Sequence, residues 1–143
     1  MISDYMKIDH RDCDALFAEA EKSVIDGDFA QAHSQFLVFS EGTLQHFNKE
    51  EQALFPTFEQ VTGNSDGPTS MMRFEHEQMR GLLDKMTDAV KQQDKDAFLS
   101  VAESMMIMMQ QHNMKEEQML YTMCDRMIPA DLKQQTLDTM QAM

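Results

Sequence analysis

Apolar and polar residues recur along most of the chain at the spacing of amphipathic helices. Phe17 follows His10 by seven residues, and Met79 and Leu83 follow His76 by three and seven. Such intervals place side chains on one face of an α-helix. A sustained alternation with a period of two, which would indicate a half-buried strand, is absent from the sequence. Because helix-forming residues are abundant and there are only five glycines and three prolines, the pattern predicts an all-α chain.

Glycine, proline and aspartate residues interrupt this pattern and set the ends of the predicted helices. Gly27 ends the first helix, and Asp28 is a good N-cap for the second. Pro56 either kinks the second helix or starts its last turn. The stretch 62–68 is the one clear loop. We predict four long helices and a short fifth, with approximate bounds 9–26, 28–61, 69–93, 94–127 and 129–143.

The expected architecture is an up-down-up-down four-helix bundle with a short C-terminal helix. The 143 residues fit one domain, 1–143, with its core at about 8–127 and no need of a disulfide. Cys13 and Cys124 lack C-x-x-C spacing, and the bundle would hold them about 20 Å apart, so we expect reduced thiols.

The charge of the chain limits its partners. With 25 acidic and 12 basic residues the formal net charge is -13, which argues against binding to nucleic acid or to an anionic membrane. The N-terminal residues carry charges where a signal peptide would be apolar, and no stretch approaches the roughly 20 apolar residues of a membrane span. We expect a soluble cytoplasmic protein whose partner is a cation or a small molecule, and a homodimer is left open.

One ten-residue pattern occurs twice, at 46–55 and 112–121, and each copy begins with His-x-x-x-Glu. Four residues correspond to a rotation of roughly 40° on a helix, so His46 and Glu50 share a face, as do His112 and Glu116. An imidazole and a carboxylate together suit iron, zinc or manganese. Each copy can therefore hold one metal ion.

The histidines fall at positions that would meet in the bundle. They lie early in the first and third predicted helices and late in the second and fourth, which brings all four to one end of an up-down-up-down bundle. His33 has no comparable position. The residues that share the face of His112 and would pack around the centre are Met105, Met108, Met109, Met119 and Met123. The predicted metal ligands are His10, His46, Glu50, His76, His112 and Glu116.

The order of these motifs resembles that of a bacterial hemerythrin-like, or HHE cation-binding, domain. A histidine is followed by H-x-x-x-E-E with Leu-Phe-Pro, then by Glu-His, then by a second H-x-x-x-E-E, over about residues 8–125. The resemblance implies a four-helix bundle with two iron ions joined by an oxo or hydroxo bridge. By that analogy the four histidines would be terminal ligands, and Glu50 and Glu116 would be bridging carboxylates.

The chain departs from the oxygen-carrying pattern of that family in two places. The family has two histidines four residues apart on the third helix, but here Arg80 and Met72 flank His76 at that spacing. Water, another side chain or an open position could take the place of the missing imidazole. The family's last carboxylate would correspond to Glu117; we prefer Glu116, since Glu117 is rotated by roughly 140° from the histidine of its motif.

The leading hypothesis is a non-haem di-iron protein that binds or senses oxygen, nitric oxide or peroxide. The alternatives are a di-iron enzyme that decomposes peroxide, an iron store, or a metal-responsive interaction module. Thioethers suit Cu(I), so a methionine cluster also raises copper storage, although core packing is the simpler interpretation. That cluster comprises Met105, Met106, Met108 and Met109.

No arrangement of nucleophile, base and acid is present, and the sequence has no Gly-rich phosphate loop.

Other charged residues of the motifs are expected to have no part in the centre. Arg80 could pair with a carboxylate near the site or point outward. The residues expected to be solvated on helix surfaces are Lys49, Glu51, Lys115 and Glu117.

Overall fold

A computed structural model describes all residues, 1–143, and shows a helical bundle without strands. Two π-helical turns, Glu50–Leu54 and Glu116–Leu120, interrupt otherwise α-helical segments. None of the helices combines the length and the apolar character needed to cross a membrane. The α-helices are α1 (Ile2–Ile25), α2 (Phe29–Lys49), α3 (Phe55–Thr62), α4 (Pro68–Lys91), α5 (Lys95–Lys115), α6 (Tyr121–Met127) and α7 (Ala130–Gln141).

The helix ends follow the capping chemistry of the sequence. Asp28 accepts a hydrogen bond from the backbone of Gln31 at the start of α2, and Asp94 caps α5 in the same way. Pro56 lies in the first turn of α3, directly after a π-helical turn, where its missing N–H is tolerated. Gly63 ends α3 with a φ of 68°, a conformation that favours glycine.

Helix α1 begins earlier than the sequence predicted, at Ile2 instead of about Asp9. The Asp125 carboxylate accepts hydrogen bonds from the backbone N–H groups of Ile2 and Ser3, at 3.0 and 3.2 Å. Ile2 is also fully buried. A partner more than a hundred residues away therefore satisfies the first turn, and no local sequence signal announces it.

The apolar interior consists of two clusters separated by a polar layer. The larger cluster has 16 buried residues, and the smaller cluster has 13. In α1, His10 lies between Met6 of the smaller cluster and Phe17 of the larger one. Helices α2, α4 and α5 each place a buried histidine between the same two clusters. Because burying polar groups is costly unless they are paired, this layer needs a compensating interaction.

The four long helices pack so that each contributes a histidine to this layer. Helix α1 packs on α2 and α5, and α4 packs on α5 and α2. Helix α7 packs against the first π-helical turn and buries Met140 completely. The short C-terminal helix thus covers the end of the bundle next to the smaller cluster.

Candidate metal centre

The structure brings the six predicted ligand residues together in the polar layer. Each has at most 4% of its surface exposed, and Glu50, His76 and Glu116 are fully buried. Helices α1, α2, α4 and α5 each contribute one histidine. The two glutamates begin the two π-helical turns, one turn after the histidines of their motifs.

The ligand atoms form two overlapping groups. In the first, one atom each from Glu50, His76, His112 and Glu116 lies within 4.8 Å of the others. In the second, the same holds for His10, His46 and Glu116. Glu116 is the one residue common to both groups.

The hydrogen bonding of the buried atoms tests whether a metal fits here. Glu50 Oε1, His76 Nε2, His112 Nε2 and Glu116 Oε2 are buried and have no hydrogen-bond partner. His76 Nε2 lies 3.1 Å from Glu50 Oε1, and His112 Nε2 lies 3.3 Å from Glu116 Oε1, without forming a hydrogen bond. Unpaired buried polar atoms are rare and costly. A cation coordinated by these nitrogen and oxygen atoms would satisfy them, and imidazole with carboxylate suits iron, zinc or manganese.

Each histidine of the centre is oriented by a carboxylate outside it. With a metal bound, donation from Nδ1–H to these carboxylates would leave the Nε2 lone pairs directed at the centre. This pairing is typical of metal-ligating histidines, whose basicity and orientation it sets. The four pairs are His10 with Glu117 at 2.7 Å, His46 with Asp9 at 2.7 Å, His76 with Glu51 at 2.6 Å and His112 with Glu75 at 2.8 Å.

The prediction that Glu51 and Glu117 are solvated is wrong, because both are among the carboxylates that orient the histidines. Glu51 accepts hydrogen bonds from His76 and from both terminal nitrogens of Arg80, at 2.9 and 3.0 Å. Glu117 is only 32% exposed and holds His10. Each follows a buried glutamate by one residue, and the rotation of about 100° per residue directs it to the adjoining helix instead of to water. Glu116 lies in the centre and Glu117 outside it.

Of the two lysines of the motifs, Lys49 departs from the same prediction with only 15% of its side chain exposed, whereas the Lys115 side chain is 39% exposed. Lys49 donates a hydrogen bond of 2.9 Å to the hydroxyl of Tyr5. Lys115 donates to the carboxylate of Glu75. Lys49 thus links α2 to α1, and Lys115 links α5 to the carboxylate that orients His112.

Tyr121 is a member of the centre that sequence reasoning missed. Its hydroxyl donates to Glu50 Oε2 at 2.8 Å and lies 3.0 Å from Glu116 Oε1 and 3.1 Å from His10 Nε2. In a regular α-helix a residue nine after His112 would lie on the opposite face, roughly 180° away. The π-helical turn before Tyr121 changes that phase. The only signal in the sequence is an aromatic residue at the end of each repeat, Phe55 and Tyr121.

The same turn makes one packing prediction wrong. Met119 was expected on the buried face of His112 but is 56% exposed, whereas Leu120 is buried in the smaller cluster. Met105 and Met109 are buried in the larger cluster, as their spacing predicts. The π-helical turn inserts an additional residue into the helical repeat, so the apolar face shifts by about one position.

The two buried carboxylates differ in their affinity for a proton. Burial raises the pKa of both; the negative charge of Glu116 raises that of Glu50 well above its usual value. For Glu116, the charge of His112 and the hydrogen-bonding side chains of Glu50, His10 and His112 together outweigh burial, and the pKa is well below its usual value. A dry site holds two adjacent negative charges only at high cost. A bound cation would compensate both carboxylates.

The histidines are tuned in opposite directions in the metal-free site. Burial alone would lower the pKa of His112, but the charge and hydrogen bond of Glu116 raise it to about 9. Burial and the neighbouring charge of His112 lower the pKa of His76 to about 4. For Tyr121, burial and then the charges of Glu116 and Glu50 raise the pKa well above its usual value, so the hydroxyl keeps its proton.

A small cavity lies against one side of the centre. His10, His46 and Thr43 line it together with Met109 and other side chains of the larger cluster. It has room for about one water-sized molecule. The Thr43 hydroxyl is buried and has no hydrogen-bond partner of ordinary geometry. The thiol of Cys13, which forms only weak hydrogen bonds, lies nearby. No cavity is lined by His76 or His112.

Aromatic rings pack against His76. The ring of Phe47 stacks on His76 with centroids 4.1 Å apart, and Phe55 stacks on it at 5.7 Å.

Cys13 is half-buried at the cavity, and burial with the charge of Asp9 raises the pKa of its thiol to about 12. Both cysteines are free.

Comparison with known proteins adds a family to this geometry. The family model for the hemerythrin HHE cation binding domain matches residues 1–124. Neither the curated proteins nor the solved structures compared with the chain gave a match. The matched range contains all six predicted ligands and Tyr121.

Proposed function

The chain belongs to the hemerythrin HHE cation-binding family, and on that premise we propose that it is a non-haem di-iron protein that binds or senses oxygen, nitric oxide or peroxide. The proposed cofactor is two iron ions joined by an oxo or hydroxo bridge, as the resemblance implies. The proposed ligands are His10, His46, Glu50, His76, His112 and Glu116.

The observation that carries the proposal is the overlap of the two ligand groups at Glu116. A single cation would be bound by only one of the two histidine pairs, His10 with His46 or His76 with His112. Two cations, one in each group, use both pairs and the shared carboxylate. Carboxylates of this kind, projecting from facing helices into a bundle core, are typical of dinuclear sites.

The architecture we infer for this function is one up-down-up-down domain over residues 1–143. The packing of α1 on α2 and of α4 on α5 supports it. So does the meeting of His10, early in α1, with His46, late in α2, since their ring centroids are 4.6 Å apart. Antiparallel neighbours bring such positions to one level.

The donor set favours iron that binds a ligand over iron that strongly oxidises an organic substrate. Four neutral imidazoles accompany two carboxylates, whereas carboxylate-rich sites stabilise oxidised metals more strongly. When bound, the two iron ions would supply redox chemistry toward oxygen, nitric oxide or peroxide. The chain's own groups orient the imidazoles and exclude bulk water.

The cavity limits the size and charge of the ligand. Room for about one water-sized molecule favours a ligand as small as a diatomic gas or peroxide over an organic substrate. The side chains of the larger cluster that line the cavity are apolar, and the exposed residue Asp14 lies at its edge. With the net charge of -13, these features favour a neutral ligand over an anion.

Reconstitution with ferrous iron tests the proposal. Metal-free protein, loaded anaerobically and measured by inductively coupled plasma mass spectrometry, is expected to hold two iron ions per chain and to change its absorption spectrum with nitric oxide. His46→Ala and His112→Ala should each lose half or more of the iron. His33→Ala is the matched control, because His33 is exposed and outside the centre. Two irons retained by both ligand variants would contradict the assignment.

The same sample separates the alternative function. A peroxide-decomposing enzyme would turn over hydrogen peroxide many times per chain, whereas a ligand-binding or sensing protein would react once and stop. Catalytic turnover that disappears in His46→Ala, and persists in His33→Ala, would favour the enzyme.

A further inference from the structure

The hydroxyl of Tyr121 lies among the ligand atoms of the second group. It is 3.1 Å from His10 Nε2, 3.5 Å from His46 Nε2 and 3.0 Å from Glu116 Oε1. The ligand atoms themselves are separated by similar distances; His10 Nε2, for example, is 3.1 Å from Glu116 Oε1. A cation held by these three residues would therefore have the phenolic oxygen next to it.

The two ligand groups are unequal without Tyr121. The group around His76 and His112 has four residues, and the group around His10 and His46 has three. Adding the Tyr121 oxygen gives each group four protein donors. A tyrosine oxygen is an established protein ligand of iron in haem proteins.

The internal repeat shows that the hydroxyl is specific to one half of the centre. Phe55 occupies in the first copy the position that Tyr121 occupies in the second. Phe55 stacks on His76 and offers no oxygen. The aromatic ring is common to both halves, whereas the hydroxyl meets only the group that is one donor short.

We propose that Tyr121 is a further metal ligand, which binds ferric iron through its phenolic oxygen in the group of His10, His46 and Glu116. This rests on the proposed function, in which the centre holds iron. On binding, the O–H bond of Tyr121 breaks; its electron pair stays on the oxygen and goes to the metal, and the proton passes to Glu50 Oε2, 2.8 Å away, and then to solvent.

The position of Tyr121 leaves the cavity free for a small ligand. Tyr121 belongs to the smaller apolar cluster, whereas the cavity is lined by Phe39, Phe47 and Met109 of the larger one. Tyr121 is not among the residues that line the cavity. Because an anionic ligand stabilises the higher oxidation state, Tyr121 makes the ferric form easier to reach and opposes reversible oxygen carriage.

Resonance Raman spectroscopy of the ferric protein tests the assignment. The chain has two tyrosines, Tyr5 and Tyr121, so in Tyr5→Phe every tyrosine signal belongs to Tyr121. We expect a visible tyrosinate-to-iron absorption band in the parent protein and in Tyr5→Phe, with tyrosinate vibrations that shift when ring-deuterated tyrosine is incorporated. Tyr121→Phe should lose the band and the vibrations while it retains at least one iron.

The outcomes separate this inference from the proposed function. Iron that loads to two ions per chain in Tyr5→Phe without tyrosinate vibrations would overturn the Tyr121 assignment alone, and leave Tyr121 as a hydrogen-bond donor to Glu50. Failure of the parent protein to bind iron would overturn both. A band that survives in Tyr121→Phe would likewise exclude Tyr121 as its source.

Discussion

Replacing Glu117 with glutamine should weaken metal binding in one half of the centre only. Glu117 accepts a hydrogen bond of 2.7 Å from His10 Nδ1 and has no other polar partner in the structure. Glutamine keeps the shape and can still accept that hydrogen bond, so the change removes chiefly a negative charge. Outer-shell substitutions of this type cost about 10- to 100-fold in metal affinity. Because the Glu117 side chain is 32% exposed, water screens part of its charge, and we expect about tenfold, roughly 1.4 kcal/mol.

Competition with a chromophoric chelator measures this loss. Titration of metal-free protein with ferrous iron or zinc should resolve two binding steps, and Glu117→Gln should weaken one of them. Glu75→Gln should weaken the other, since Glu75 accepts from His112 Nδ1 at 2.8 Å. Glu103→Gln is the control, because Glu103 is exposed on α5, away from the centre. The reasoning is refuted if Glu117→Gln and Glu75→Gln weaken the same step, or if neither differs from Glu103→Gln.

Three further outcomes follow from the buried groups. Tyr121→Phe should destabilise the metal-free protein by about 2 to 3 kcal/mol in urea unfolding, because Glu50 loses a buried hydrogen-bond donor. The control Tyr5→Phe should cost less than about 1 kcal/mol. Equal losses of stability in the two variants would contradict this prediction. The pKa of His112 is raised to about 9 from 6.5. Protonated His112 therefore stabilises the metal-free protein fully below about pH 6.5, and this stabilisation, roughly 3 kcal/mol, is lost as the pH rises through 9. A free energy of urea unfolding that stays constant between pH 6.5 and 10 would exclude this effect. With its thiol pKa raised to about 12, Cys13 should react with iodoacetamide at pH 8 many times more slowly than in urea-unfolded protein; equal rates would show that it is not protected.

The sequence predicted the helices and the six inner side chains because both depend on local periodicity. His-x-x-x-Glu fixes two side chains on one face of any α-helix. The alternation of early and late histidines then requires only that neighbouring helices be antiparallel. The structure accordingly brings together His10, His46, Glu50, His76, His112 and Glu116. Whether they bind iron stays a prediction.

The remainder of the centre could not be predicted because it depends on contacts between helices and on π-helical turns. Glu51 and Glu117 look like exposed members of charged runs, and only the neighbouring helix shows that they hold His76 and His10. Tyr121 enters the centre through the π-helical turn Glu116–Leu120, which an analysis with regular α-helical spacing does not contain. The early start of α1 depends on Asp125, at the other end of the chain.

Anomalous diffraction at the iron absorption edge, from crystals of the iron-loaded protein, tests the central claim most directly. The account predicts two anomalous peaks in the polar layer, one among Glu50, His76, His112 and Glu116, and one among His10, His46 and Glu116. A single peak, or iron bound only outside this layer, would contradict a dinuclear centre.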